Sequence, residues 1–373
     1  MLIHCTKKLL DELKIKPEPQ EEQDDFFSWH ANLITMNRRK TVLVMNNKNR
    51  YVVVLHGLNA RDFERLDQLI IQAIRESFLH EGIKEEIIEQ YVQSAGELIF
   101  TKTKDRTSIA RLNRSCEEVF IFADLLDASS VINTDVSLKA SRLLVGLGKK
   151  YVKPNEEMYK DLETCFGKEI FSVKAVELKV TLDLENHHVW RKIIVPVNMT
   201  FDRLHEVLQE VFGWKESHLH EFYIYGQEKE GDQPAHSFGP VHKEGYRAVA
   251  NLVSHKEAFN FENDLPMILD REVKLEYYIP SKIKYIYDFG DDWQHYIEVE
   301  KNIDDYDKNY PQCTGAEGIA PPEDVGGEGG FEEFLKVIVD EDNPDHARMK
   351  SWGKSQGYKK FDLEAVNRRL RYL

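Results

Sequence analysis

Tyr285-Ile286-Tyr287-Asp288-Phe289-Gly290-Asp291-Asp292-Trp293-Gln294-His295 lies across two alternating runs, Lys282 to Phe289 and Trp293 to Glu300. Alternation of apolar and polar residues marks a half-buried strand. The chain must reverse between the two runs, and Asp288, Asp291, Asp292 and His295 crowd into that reversal. Gly290 can take a left-handed turn position there, and an aspartate can cap the turn backbone. The C-terminal half is therefore read as a sheet built around this hairpin.

The segments upstream extend the sheet. Val173 to Leu184 alternates, with Val176, Leu178, Val180 and Leu182 on one face, and Val189 to Val197 returns after Glu185-Asn186-His187-His188. Pro196 marks an edge or a strand's last residue. Thr200 is a candidate helix cap, and Asp202 in the first turn suits the helix dipole. Phe201, Leu204, Leu208, Val211 and Phe212 form the apolar stripe that Gly213 ends. His218 to Tyr225 reads as a third strand. Strand, strand, helix, strand opens a β-grasp-like mixed sheet with one helix on one face. Gly226 to Asp270 reads as a long polar excursion and Val273 to Ile279 as another strand. Phe331–Val339, Asn343–Trp352 and Asp362–Leu370 read as closing helices.

The N-terminal half has its own rhythm. Lys7 to Leu13 is helical in pattern, and Glu21-Glu22-Gln23-Asp24-Asp25 reads as a solvated loop. Thr41–Met45 and Tyr51–Leu55 are β-branched runs around the turn composition Asn46-Asn47-Lys48-Asn49, which predicts a hairpin. Helices are expected after the cap Asn59, over Lys84–Ser94 and over Ser108–Leu126, with a short strand at Glu97–Thr103. The polar segment Lys149 to Lys168 is read as the end of this region. The fold class is α+β: an α+β domain over 1–165, then a second domain over 170–373.

Composition narrows the function classes. The 373 residues are 42% hydrophobic and 31% charged, ordinary for a globular protein. No run approaches the roughly 18 apolar residues of a membrane span, and Met1 to Lys14 is too charged for a signal peptide. These features predict a cytoplasmic protein without a membrane partner. Cys5, Cys116, Cys165 and Cys313 are too scattered for a zinc finger or a redox pair, and are read as free thiols. Of the net charge of −15, residues 170–373 carry −13, from 25 Lys and Arg against 38 Asp and Glu. That half repels phosphate backbones. Its expected partners are proteins or small molecules, not nucleic acid.

From Asn302 to Gly330 no periodicity is visible. Structureless loops of that length in compact domains are functional or disordered. This one holds Pro311-Gln312-Cys313-Thr314-Gly315 and Pro321-Pro322-Glu323-Asp324-Val325-Gly326-Gly327-Glu328-Gly329-Gly330. Glycines before a helix can cradle phosphate. Glu323, Asp324 and Glu328 oppose an anion here, and neither common phosphate-loop spacing is present.

Trp190-Arg191, Val195-Pro196, Leu204-His205, Gly213-Trp214, His218-Leu219-His220-Glu221-Phe222, Tyr287 to His295, Pro311-Gln312-Cys313 and Pro321 to Gly327 occur in the order seen in the plasmid pRiA4b ORF-3-like family. The chain resembles that family, also found as passenger proteins of insertion elements, over about 174–373. Ala320 stands where many members carry a second cysteine, which argues against a cysteine-pair zinc site. Cys5 to Leu10 and Trp29 to Asn32 make the N-terminal half similar to a small uncharacterised bacterial domain. The resemblance implies a mobile-element setting and brings no established activity.

Two readings of the chemistry follow. In the first, the protein is a binding or adaptor protein. Its candidate surface comprises Tyr287, Asp288, Gly290, Asp291, Trp293, His295, Cys313, Pro322, Glu323, Asp324, Gly326 and Gly327. In the second, it is a metal-dependent hydrolase. There His218 and His220, on one face of a strand, join Asp288, Asp291, His295 and Glu323 around a divalent cation. A thiol nucleophile pairing Cys313 with His218 or His295 has no support from spacing. No cofactor beyond that candidate metal is implied. The decisive question is whether the His/Asp/Glu side chains converge.

Overall fold

A computed structural model describes residues 1–18, 23–229, 240–261 and 263–373. Part of the acidic run at 21–25 and part of the stretch 226–270 lie outside the described residues. The chain divides into two compact units, Met1–Ser172 and Val173–Leu373. Among the described residues no helix is long and apolar enough to cross a membrane. The fold is α+β.

The first unit runs β1 (Leu2–Cys5), α1 (Lys7–Leu13), β2 (Ser28–Met36), β3 (Arg39–Asn46), β4 (Val52–His56), α2 (Ala60–Glu64), α3 (Leu66–His80), α4 (Glu85–Ala95), β5 (Ile99–Lys102), α5 (Arg106–Phe120) and α6 (Thr134–Ser141). A small β6 (Val145–Leu147) and β7 (Lys150–Val152) pair precedes α7 (Pro154–Phe166). The five-stranded sheet has the order β4-β3-β2-β1-β5. Ile3, Trp29, Val42, Val44 and Val53 pack on one side with α3, α4 and α7. Leu43, Met45, Val52 and Val54 pack on the other with α5 and α6. Helices on both faces explain why β4 is buried along its whole length. The Asn46 side chain accepts from the amides of Lys48 and Asn49 and so shapes the β3–β4 turn.

The second unit contains β8 (Val173–Leu182), β9 (Val189–Pro196), α8 (Phe201–Phe212), β10 (His220–Lys229), β11 (Tyr246–Val253), β12 (Met267–Leu269), β13 (Ile283–Tyr287), β14 (Trp293–Tyr306), β15 (Gln312–Glu317), α9 (Gly327–Val339), α10 (His346–Ser355) and α11 (Leu363–Leu370). Its eight-stranded sheet has the order β12-β11-β10-β13-β14-β8-β9-β15 and is antiparallel except between β11 and β12. One face carries Val176, Leu178, Ile193, Phe222, Leu252, Tyr285 and Ile297, packed against α8 in the main core. Gly213 ends α8 at φ 82°, a left-handed position. Thr200 occupies the N-cap, but its hydroxyl donates to Asp202 rather than to the helix backbone.

Three expectations are corrected. The loop expected over 302–330 contains the end of β14 and all of β15. Most side chains of that end of β14 face solvent, and main-chain pairing with β8 holds the strand without an apolar stripe. The excursion expected over 226–270 contains β11 and β12. The strand expected over 273–279 is instead irregular backbone with a 3₁₀ turn at Leu275–Tyr277, where Val273 and Leu275 accept and donate main-chain bonds to Phe201 and Met199.

Candidate functional site

The β13–β14 reversal is built by its first aspartate. Asp288 takes φ 57° and Asp292 φ 55°. Asp288 Oδ1 accepts from the amides of Gly290 (2.9 Å) and Asp291 (3.3 Å), and the Asp288 amide donates to the Leu219 carbonyl at 3.0 Å. That last bond ties the hairpin to the segment entering β10, where His218 sits in a bend. The glycine-bearing segment docks on the same end. Asp291 Oδ2 accepts from the Gly326 amide at 3.0 Å. The Trp214 indole donates to the Pro321 carbonyl at 3.0 Å, and Glu323 Oε2 accepts from the Lys215 amide at 2.8 Å. Gly326 and Gly327 take φ 91° and 68°, and a Cβ on Gly327 would meet the Asp291 carbonyl oxygen at 3.0 Å. Glycine is required there by both conformation and space.

These contacts bring His218, Asp288, Glu323 and Asp324 together. His218 Nε2 lies 2.8 Å from Asp324 Oδ1, 3.5 Å from Asp288 Oδ2 and 4.0 Å from Glu323 Oε1. Ligand-type atoms of His218, Asp288 and Asp324 all fall within 4.8 Å of one another. Partial burial pulls the His218 pKa down, but the Asp324 bond and the charges of Asp288, Asp324 and Glu323 outweigh it, and the net shift is upward. Glu323 is buried and Asp324 exposed, so the cluster has one wall in the core and one in solvent.

The other candidates are engaged elsewhere. His220 Nε2 bonds Asp270 Oδ2 at 2.7 Å, and its ring stacks on His205 at 3.5 Å. His205 in turn meets the Tyr285 hydroxyl at 2.7 Å, and burial lowers its pKa to about 2. His218 and His220 therefore do not share a site. His295 is fully buried against Phe212, Trp214 and Tyr285. Its ring nitrogens face the main chain of Tyr285 and Trp293 without a well-formed hydrogen bond, and burial lowers its pKa to about 3. A neutral core imidazole is not a ligand at the hairpin surface. The Asp291 carboxylate serves the Gly326 amide. Trp293 and Pro322 are buried packing residues. Cys313 is buried, its Sγ bonds the Gly315 carbonyl, and burial raises its pKa. No bond joins it to a histidine among the described residues.

The sequence reading missed a second feature. A cleft of about 700 Å³ opens beside the hairpin, walled by Leu219, Val253, Phe261, Met267 and Phe289. Phe261 and Met267 fall in the stretch read as an excursion, where no periodic signal flags them. The exposed Phe289 in the turn sequence was the available hint.

The family described as plasmid pRiA4b ORF-3-like protein matches residues 174–370, and a domain of unknown function, DUF6933, matches residues 2–157. The chain is 35% identical over 198 residues to the uncharacterised protein y4hQ of Sinorhizobium fredii, covering 52% of this chain and 86% of that protein. It is also similar to the crystal structure of the protein of unknown function MM3350 from Methanosarcina mazei Go1. That match has 30% identity and a TM-score of 0.40, over 52% of this chain and 97% of that one. With its motifs in order and the match running from β8 to α11, the chain belongs to the plasmid pRiA4b ORF-3-like family.

Proposed function

We propose that residues 173–373 act as a binding module of a cytoplasmic, mobile-element-associated protein, with the hairpin end of the sheet as the recognition surface. The observation that carries this reading is the convergence of His218, Asp288, Glu323 and Asp324 beside the exposed Phe289. Three carboxylates against one imidazole leave that end negative. Complementary charge steers encounter and suppresses wrong partners, so a cationic protein surface is favoured and free nucleic acid is not. Glu323 and Asp288 are held by main-chain amides, which lowers the cost of ordering them for a partner. Titrating the protein with basic and acidic peptides at low and high salt tests this. Salt-sensitive binding of basic peptides that weakens in Asp324→Asn supports the reading, and equal binding of acidic peptides rejects it.

A second reading, a metal-dependent hydrolase, is favoured by the 4.8 Å cluster of His218, Asp288 and Asp324. Imidazole and carboxylates together suit Mn, Fe, Zn or Mg, and a metal-bound water can serve as a nucleophile. Metal analysis of protein purified without a histidine tag separates the two. A stoichiometric divalent metal that is lost in His218→Ala/Asp324→Ala favours the hydrolase. No metal, and no thermal shift with added divalent ions, favours the binding module.

A further inference from the structure

The cleft lies on the other face of the sheet from α8. Strand register puts Glu221 opposite Val253, Tyr223 opposite Asn251, and Asn251 beside Met267. Phe222 and Leu252, one residue on, pack in the α8 core, so Glu221, Asn251, Val253 and Met267 point away from it. Tyr287, and with it the Glu323 bond, belongs to the α8 side. The cleft adjoins the cluster described above through Leu219 and Phe289, the chain neighbours of His218 and Asp288, but His218, Asp288, Glu323 and Asp324 do not line it.

Three features define what would fill it. First, its apolar wall is wet: Phe261 is 74% exposed and Phe289 53%. Second, its fixed polar group is a carboxylate. Glu221 Oε2 accepts from Asn251 Nδ2 at 2.9 Å, Asn251 Oδ1 is itself held by Asn263 Nδ2 at 3.4 Å, and the Tyr223 hydroxyl also bonds Glu221. Glu257, 3.9 Å from His255, adds a second carboxylate, and among the described residues no lysine or arginine lines the space, the buried Lys284 acting on Glu221 from outside it. A cation with an apolar stem is the complementary group, since aromatic faces and a positioned carboxylate both attract it. Third, the cleft borders the outermost strand. β12 closes the sheet order, and the Asn251 amide donates to the Pro266 carbonyl at 3.0 Å. In a parallel ladder that leaves the main-chain groups of Met267, which is half-buried, directed away from β11, while those of Leu269 lie in a residue only 3% exposed. An unpaired edge beside side-chain pockets is the arrangement that accepts an extended segment.

We infer that this cleft binds an extended segment of a partner protein, seating one arginine or lysine against Glu221 between Phe261 and Phe289 while its backbone pairs with the outward groups of Met267. The full chain can be titrated, by fluorescence anisotropy, with three labelled heptapeptides. They share β-branched flanks around a central arginine, glutamine or glutamate. The arginine peptide is expected to bind about tenfold more tightly than the glutamine peptide, and the glutamate peptide least. Glu221→Gln should abolish the preference for arginine. Phe261→Ala, at an exposed site that does not threaten folding, should weaken all three. Methylating alternate amides of the arginine peptide should weaken it by at least tenfold, and in an Asp324→Asn background, where the hairpin cluster is weakened, the arginine preference and its loss with Glu221→Gln should both remain. Equal affinity for the three peptides overturns the inference, as does an arginine preference that survives Glu221→Gln. Competition by free agmatine at the peptide's own affinity also overturns it, because the cleft would then be a small-cation pocket rather than a segment-binding edge.

Discussion

The Tyr287 hydroxyl donates to Glu323 Oε1 at 2.5 Å, joining residues 36 positions apart in sequence. The same oxygen of Tyr287 accepts from the Ser217 amide at 3.0 Å, and the Tyr287 ring stacks on Trp214 at 5.1 Å. One phenol thus couples the hairpin, the entry to β10 and the glycine-bearing loop. Burial and the neighbouring Glu323 carboxylate both raise its pKa, so it stays a donor.

Tyr287→Phe removes that donor and keeps the ring. Glu323 is left in the core with the Lys215 amide on its other oxygen, Oε2. A buried acceptor that loses its partner costs about 1–3 kcal/mol. Urea unfolding should show a loss of that size, and amide exchange should quicken across residues 318–327. An unchanged midpoint would mean the bond only decorates a loop held by other contacts.

Gly326→Ala and Gly327→Ala probe the loop from the backbone side. Both residues have positive φ, and the Gly327 Cβ would press on the Asp291 carbonyl. A left-handed position costs an L-residue about 1–2 kcal/mol, and Gly327→Ala adds the close contact. The expected order of melting temperatures is wild type, then Gly326→Ala, then Gly327→Ala. The reverse order would show that the loop relaxes away from Asp291.

Where physics is local, the sequence is readable. The alternation of β8 and β9, the stripe of α8 and its stop at Gly213 depend on near neighbours. So does the Asp288 turn, where a side chain bonds amides two and three residues on. The second half of β14 is not readable in that way, because its partner β8 supplies the main-chain bonds and solvent takes the side chains. The histidines show the same limit. His218 and His220 have the same period-two relation in sequence, yet one meets Asp324 and the other Asp270. Those partners lie 106 and 50 residues away and are chosen by packing alone.

The His218 shift makes a pH prediction. Its folded pKa is raised above the usual 6.5 by the surrounding carboxylates, against the pull of burial. A raised value means the protonated ring is favoured in the folded state. Its contribution to stability is therefore full below pH 6.5 and is lost as pH rises through the folded pKa. NMR titration of the His218 ring should give a midpoint above 6.5, and His218→Gln should flatten stability across that window. A midpoint below 6.5 would show that the carboxylates do not hold the ring.

His295 has the opposite sign. Burial lowers its folded pKa to about 3, so the folded protein keeps the ring neutral while the unfolded chain protonates near 6.5. Stability is unaffected above 6.5 and falls as pH drops from there toward about 3, by up to about 1.4 kcal/mol per pH unit. His205, lowered to about 2, contributes in the same direction. His295→Leu keeps similar volume among Phe212, Trp214 and Tyr285, and removes two ring nitrogens that lack well-formed bonds. Replacing a buried unpaired polar group by an apolar one of like shape is neutral or stabilising. The variant should match or exceed wild type near neutrality, and its advantage should grow by about 1–2 kcal/mol on acidification to about pH 5. Denaturant titrations at the two pH values measure the difference. A variant that is less stable at both would mean that the imidazole makes a bond worth more than its burial costs.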